Sequence, residues 1–419
     1  APAPAALPPA LREHLMKRKE SGEELLAEEL EALNLPGATD GGAPAKPPTV
    51  VAARGIGGAG KTSLAVGVVL QKSMQEHFEA IVWTSAGQTP VLPALLRAQL
   101  AQLRRGADAG AGAGAGGDSD DVDALREAAQ AAAKGRRVLL VLDDVWEPAH
   151  ERALNFVTAS DDGSAVLVTT RIRALVPESD EVEVGALSKP EAVALLLRSG
   201  GINGKVSAEA EAAASEAAEL CGCLPLTLAI AGALIADFAD RDADGRPLWE
   251  TQLVPTLKES HGAELRESSD AGGESVEGRV IEASLACMPV DAKSGVAALF
   301  SLFATFAEDA TVPASIFDAL APSVVAAARH ALGGDAHVVR EAAAEDTSLE
   351  LQPTYSRRHA AKVRKWLQLL LKHSLVKGTI AQGVLMHDLV RDYVRSRLPA
   401  AQLCAMQHNV VATILEARS

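Results

Sequence analysis

Aromatic residues are scarce: Phe, Trp and Tyr together make up 3% of the 419-residue chain, while hydrophobic residues as a whole reach 48%. Core packing must therefore rest on Ala, Leu and Val. Cysteine is also sparse, and Cys221, Cys223, Cys287 and Cys404 show no regular spacing, which points to a reducing compartment rather than a disulfide framework. Cys221-x-Cys223 would be half of a metal site, yet no second Cys or His pair accompanies it; two small buried residues near a helix start are the plainer reading. Positive charge is in the minority, 40 Lys and Arg against 55 Asp and Glu, a formal net charge of −15. That balance argues against a general binder of nucleic acid or anionic membranes. The longest uncharged apolar stretch, Leu220 to Ala236, contains Pro225 and falls short of a spanning helix. Ala1 to Ala10 is Pro-rich and lacks the basic start and apolar core of a secretory leader. No repeat of 20–50 residues is present, which excludes a solenoid or propeller. A soluble, cytoplasmic chain of two to four domains is expected.

What the chain does have is concentrated between Thr49 and Val66, TVVAARGIGGAGKTSLAV. Val50-Val51-Ala52-Ala53 is short and β-branched, the signature of a buried strand. Gly55 to Thr62 follows and matches the G-x-x-x-x-G-K-[ST] phosphate-loop pattern at every fixed position. From Ser63 onward the residues favour helix, with Leu64, Ala65, Val66 and Val69 apolar. Glycines let the backbone curl so that successive N–H groups, from Gly55, Gly57, Gly58, Ala59, Gly60 and Ser63 among others, can face a phosphate. The positive end of the helix dipole reinforces that anion site. Lys61 would reach the β and γ phosphates, and the Thr62 hydroxyl would complete a Mg²⁺ shell. A nucleotide site is the expectation.

Around this stretch the chain divides by composition. Residues 1–48 carry Ala-Pro low complexity, an amphipathic helix around Glu23 to Leu33 and a Pro/Gly/Ala linker. From 49 to 187, strand candidates Val50–Ala53, Ala80–Thr84, Val138–Leu142, Ala165–Thr169 and Glu181–Val184 alternate with helices. That alternation predicts an α/β domain with a parallel sheet and helices on both faces. Gly106 to Gly117 is a Gly-Ala insertion with no capacity to pack. Residues 188–285 read as an all-helical domain. Residues 286–400 hold an amphipathic helix with Val363, Trp366, Leu367, Leu370 and Leu371 on one face, then two short strands within Ser374 to Met386. A C-terminal helix covers 401–419.

Two further motifs place chemistry at strand ends. Arg137 to Trp146, RVLLVLDDVW, is an apolar strand ending in two carboxylates, which at the C-terminal end of a parallel strand lie where ligands bind. Asp143 would hold Mg²⁺, and Asp144 would orient or activate a water against the γ-phosphate. Ser164 to Arg173, SAVLVTTRIR, ends in Thr169-Thr170-Arg171. Arg171 could pair bidentately with phosphate oxygens and so report the γ-phosphate.

Together these residues resemble the NB-ARC module of the STAND class of P-loop ATPases, shared by plant disease-resistance proteins and the apoptosome scaffold protein. The matching pieces are GIGGAGKTSLA (55–65), IVWTS (81–85), LLVLDDVW (139–146), LVTTR (167–171), CGCLPLTLA (221–229), FSLFATFAED (300–309) and MHDLVRDYV (386–394). The resemblance implies that 286–400 is a winged-helix domain, that Pro225 packs on adenine and that His387 hydrogen-bonds the β-phosphate of ADP. Met16-Lys17-Arg18 would occupy the family's upstream base-contacting position, with Lys17 where Gly is usual. Cys223 also stands where the family has Gly. From the residues alone, a structural pair is the favoured reading of His387 before Asp388; the resemblance reverses that preference.

The implied function is an ADP/ATP-operated signalling switch, closed with ADP and assembling into a ring-like oligomer with ATP, in a defence or cell-death receptor. Slow hydrolysis would reset it, with Lys61 and Asp144 as the catalytic residues. The chain would be the core of a longer receptor, its sensor region, upstream ligand and downstream effector lying elsewhere. One alternative is a P-loop ATPase or kinase with fast turnover on a small substrate. The other is a STAND-type transcription regulator using the winged helix on DNA, to which the basic cluster Arg357, Arg358, His359, Lys362, Arg364 and Lys365 could contribute. In so acidic a chain a solvated helix face is the plainer reading of that cluster, and DNA is not the expected partner.

Overall fold

The computed structural model describes residues 49–105, 120–158, 163–177, 179–238, 240–241, 246–262, 275–308, 310–332 and 357–416. The N-terminal helix and linker, Met16-Lys17-Arg18, the Gly-Ala insertion and the polar stretch 333–356 lie outside them. The chain divides into two compact units that meet between Ala186 and Leu187. Among the described residues, no helix is long and apolar enough to cross a membrane.

In the first unit, β1 (Thr49–Arg54), β2 (Ala80–Gly87), β3 (Val138–Val145), β4 (Ala165–Thr170) and β5 (Asp180–Glu183) form a sheet in the order β2-β3-β4-β1-β5. Every pairing is parallel. The central strands β3 and β4 read as continuous apolar runs because both faces are covered, whereas the edge strand β5 is charged and largely exposed. Leu139 and Val141 of β3 pack with Val51, Leu167, Ile81 and the inward side of α1 (Lys61–Leu70). Leu140 and Leu142, pointing the other way, pack with Val82, Val166 and residues of α3 (Leu92–Arg105), α4 (Val122–Ala133) and α5 (Pro148–Leu154). A short α2 (Lys72–His77) follows α1. This order puts β4 between the strand that feeds the Gly-rich turn and the strand that ends in two carboxylates.

The second unit is mostly helical: α6 (Lys189–Ser199), α7 (Ala208–Leu220), α8 (Pro225–Asp237), α9 (Trp249–Gly262), α10 (Val276–Ala286), α11 (Lys293–Leu302), α12 (Ala314–Leu332), α13 (Arg357–Lys372), α14 (Asp388–Ser396) and α15 (Ala400–Glu416). Ser207 and Ser275 cap α7 and α10 by accepting backbone N–H groups, the role short hydroxylated side chains fill best. α8 is apolar around its whole circumference and correspondingly buried. α13 buries Ala360, Val363, Trp366, Leu367 and Leu370, leaving its basic residues outside. Gly295 of α11 lies against Trp366 so closely that a Cβ there would stand 2.1 Å from the indole ring. With so few aromatics in the chain, their grouping is telling: Phe303, Phe306 and Phe317 form one cluster.

β6 (Lys377–Thr379) and β7 (Gly383–Leu385) pair antiparallel, and Val312 bridges to Val384. The fold also buries a polar knot. His373 Nδ1 lies 3.1 Å from Ser284 Oγ, and its Nε2 lies 3.1 Å from Asp237 Oδ2, linking α13, α10 and α8. Burial holds the His373 imidazole below its usual pKa, so a neutral ring accepting the Ser284 hydroxyl at Nδ1 suits the geometry.

Candidate phosphate-binding site

The turn from β1 into α1 is built on glycine geometry. Gly58 and Gly60 have φ of 72° and 96°, the left-handed region that a Cβ disfavours, and Gly60 is the N-cap of α1. Gly55 is needed for a different reason: a Cβ would lie 2.2 Å from the Val184 carbonyl oxygen. The Gly55 N–H is already engaged, donating to Thr170 O at 3.2 Å. Ile56, at the tip of the turn, is 59% exposed.

Lys61, the first residue of α1, is buried. Its Nζ donates to Ile56 O at 2.9 Å, a carbonyl of the same turn. Desolvation, and then the nearby Arg171 guanidinium, lower its pKa to about 8, while Asp144 and Asp143 oppose the shift. A buried ammonium facing a second cation is electrostatically short of negative charge, which a phosphate would supply.

The carboxylates sit where the β3–β4 register shifts between Leu142 and Val145. Asp144 adopts φ 53°, an unusual conformation for a non-glycine residue. Asp143 is buried; its Oδ1 and Oδ2 accept from Thr62 Oγ1 at 3.0 and 3.2 Å, and its Oδ1 from Thr169 Oγ1 at 2.6 Å. Thr169 also accepts the Asp144 backbone N–H at 2.8 Å, so a single hydroxyl on the intervening strand anchors both acids. A hydroxyl and a carboxylate in contact are hard oxygen donors, the set Mg²⁺ prefers. Trp146 Nε1 donates to Asp144 Oδ2 at 2.9 Å, and Arg171 lies 4.9 Å above the Trp146 ring and 3.9 Å from Asp144 Oδ1. Lys61, Thr62, Asp143, Asp144 and Arg171 thus come together with the glycine turn. Thr169 and Trp146 are the members to which residue-by-residue reading gave no role. Thr169 stood in a quoted strand, but only the adjacency of β3 and β4 brings it to the acids.

Pro225 and His387 belong to the second unit. Pro225 is the first residue of α8, entered through Cys223 at φ 52°; that left-handed backbone explains why glycine suits the position. Thr227 Oγ1 donates into the same turn, with Cys221 O at 2.6 Å and Leu224 O at 2.9 Å. His387 is the N-cap of α14. Its Nδ1 lies 3.3 Å from the Leu389 backbone nitrogen and also in close contact with Asp388 Oδ1. These two contacts ask opposite roles of Nδ1: a bare Nδ1 accepts from Leu389, and a protonated Nδ1 donates to Asp388. With Nδ1 accepting, the hydrogen of the neutral ring is on Nε2.

The NB-ARC domain family model matches residues 43–204. Disease resistance protein RGA2 of Solanum bulbocastanum is 25% identical over 223 residues, 49% of this chain and 22% of the relative. Regulatory protein AfsR of Streptomyces griseus is 32% identical over 195 residues, 45% of this chain and 18% of the relative. Disease resistance protein RPM1 of Arabidopsis thaliana is 30% identical over 125 residues, 29% of this chain and 13% of the relative. The chain thus matches less than a quarter of the length of each of these relatives. Among solved structures, a STAND protein with a tetratricopeptide repeat sensor from Pyrococcus horikoshii covers 90% of this chain and 44% of its own, at a TM-score of 0.47 and 16% identity, too low a similarity to specify function.

Proposed function

We propose that this chain, which carries an NB-ARC domain over residues 43–204, is a nucleotide-operated signalling switch. ADP holds a closed state; exchange for ATP opens it and permits ring-like self-association; slow hydrolysis resets it. The observation that carries the reading is the convergence of Lys61, Thr62, Asp143, Asp144 and Arg171 on the glycine turn at the ends of β1, β3 and β4. In this reading the backbone N–H groups from Gly57 to Ser63 hold phosphate oxygens, and Lys61 neutralises the β and γ phosphates. Thr62 and Asp143 hold Mg²⁺, which when bound neutralises charge on the phosphates. Asp144 orients the attacking water, and Arg171 reads the γ-phosphate.

The second unit supplies the closing contacts: Pro225 against the base and the His387 Nε2–H to the β-phosphate. Residues 188–285 act as the helical domain and 286–400 as the winged-helix domain, a reading supported by helices α11 to α13 followed by the β6–β7 hairpin. The names of RGA2 and RPM1 favour a defence receptor. A regulator acting on DNA is the second reading, favoured by the similarity to AfsR and by exposed Arg357, Arg358, Lys362 and Lys365 on α13; strongly salt-dependent, sequence-selective DNA binding would establish it instead.

The test is which nucleotide co-purifies and how His387 affects its release. Tightly held ADP is expected, and an empty site with rapid steady-state hydrolysis would favour a fast ATPase. A charge-assisted hydrogen bond contributes about 1.5–3 kcal/mol, whereas swinging a two-state equilibrium from 1:99 to 99:1 takes about 5.5 kcal/mol. His387→Ala should therefore speed ADP release roughly 10- to 150-fold without fully opening the chain. Wild-type release rates would make His387 a helix cap only.

A further inference from the structure

Trp146 stands just past the end of β3, two residues before α5 begins, and it joins two groups that the reading above leaves independent. We propose that Trp146 is a positioning residue for nucleotide hydrolysis: its indole N–H sets the Asp144 carboxylate and its ring face sets the Arg171 guanidinium. One rigid side chain then fixes acid and cation relative to each other. The inference rests on the reading of this site as a nucleotide-hydrolysing switch.

Three contacts carry it. The Asp144 backbone is fixed by its N–H to Thr169, but that bond leaves the side-chain torsions open. The indole N–H on Oδ2, at 2.9 Å, closes them. Arg171 is too far from the carboxylate, at 3.9 Å from Oδ1, to serve as a direct hydrogen-bond donor, so the indole bond is the directional one. The guanidinium lies over the ring itself, at 4.9 Å, within cation–π range. An indole has only two side-chain torsions to immobilise, so it holds both partners at low entropic cost.

The chemical consequence follows from what a water-orienting carboxylate must do. It must present its remaining lone pairs to the water within hydrogen-bond reach. A donor on Oδ2 limits the carboxylate to one orientation. Losing that donor lets the carboxylate rotate, and a misplacement of about 1 Å near the reacting atoms can cost on the order of a hundredfold.

Trp146→Phe removes the N–H and keeps a ring beneath Arg171. ATP hydrolysis would be measured with ATP affinity and thermal unfolding alongside. The expected result is a kcat about tenfold lower with KM changed less than about twofold. In an Asp144→Asn background, Trp146→Phe should add nothing, because the group it positions is gone. Wild-type kcat in Trp146→Phe, a loss carried by KM rather than kcat, or losses that multiply in the double variant, would overturn the proposal. If Trp146→Phe folds poorly, replacing Trp146 with its benzothienyl isostere preserves shape and deletes only the N–H, with the same expected and overturning outcomes. Should Asp144→Asn itself leave hydrolysis unchanged, the hydrolytic reading of the site falls and Trp146 with it. A slow Asp144→Asn beside an unaffected Trp146→Phe sinks this inference alone.

Discussion

Both units bury polar side chains, but they arrange them in opposite ways. In the first unit Lys61, Thr62, Asp143, Asp144, Thr169 and Arg171 gather at one end of three adjacent strands, around a turn shaped by left-handed glycines. Burial, and then the neighbouring Arg171, lower the pKa of Lys61 there, an effect that a bound anion would offset. In the second unit, buried Asp318 and the Ser284–His373 pair are closed off by neighbouring side chains. Arg364 donates Nε to Asp318 Oδ1 at 2.8 Å and a second bond to Oδ2. Ser284, His373 and Asp237 follow the order of a hydrolytic triad, yet Ser284 and His373 are buried, so no substrate reaches the hydroxyl and the set ties three helices together. The lesson is that contact among chemically capable residues does not make a site. A site needs unbalanced charge or donors converging on a shared space.

The sharpest way to break the comparison is Lys61→Ala. Removing one partner of a desolvated charge pair costs about 3–5 kcal/mol, a few hundred-fold or more in nucleotide affinity, with the thermal midpoint little changed. Unaltered ATP and ADP affinities by calorimetry would remove the phosphate-site assignment. Gly295→Ala should do the reverse, touching packing and no chemistry. A methyl group at 2.1 Å from the Trp366 ring forces a repacking that costs about 1–3 kcal/mol, visible as a lower denaturation midpoint. An unchanged midpoint would mean that the α11–α13 contact adapts freely.

The smallest effect comes from pH. Ligand-free Lys61 titrates at about 8 rather than 10.5, and bound phosphates would raise that value by supplying negative charge. Nucleotide binding should therefore take up a proton near pH 8–9, with affinity full below pH 8 and falling by up to about tenfold per pH unit above it. Folding stability of the ligand-free chain should run the other way, rising with pH between 8 and 10.5 as the unfolded state binds more protons. Calorimetry in buffers of different ionisation enthalpy reads the proton uptake; none at pH 8.5 would place Lys61 away from the phosphates.

Local chemistry made part of this legible in one dimension. The strand before Gly55, the glycines, Lys61 and Thr62 are contiguous, because a phosphate-binding turn is built by a single stretch of backbone. The parallel sheet was legible too, since strands buried on both faces leave unbroken apolar runs such as Leu139 to Leu142. Tertiary structure decided what no spacing encodes. β4 packs between β1 and β3, and only that adjacency lets Thr169 hold both acids. Trp146 had no chemical role in the sequence; in the structure Asp144 has a positive φ and its carboxylate accepts the indole N–H. Gly295 and Trp366 lie on separate helices, and only their packing reveals why one must be small. Hydrogen bonds within a turn are fixed by the neighbours along the chain. Those between strands and helices depend on which elements pack together, and that is settled by the burial of whole faces rather than by any single residue.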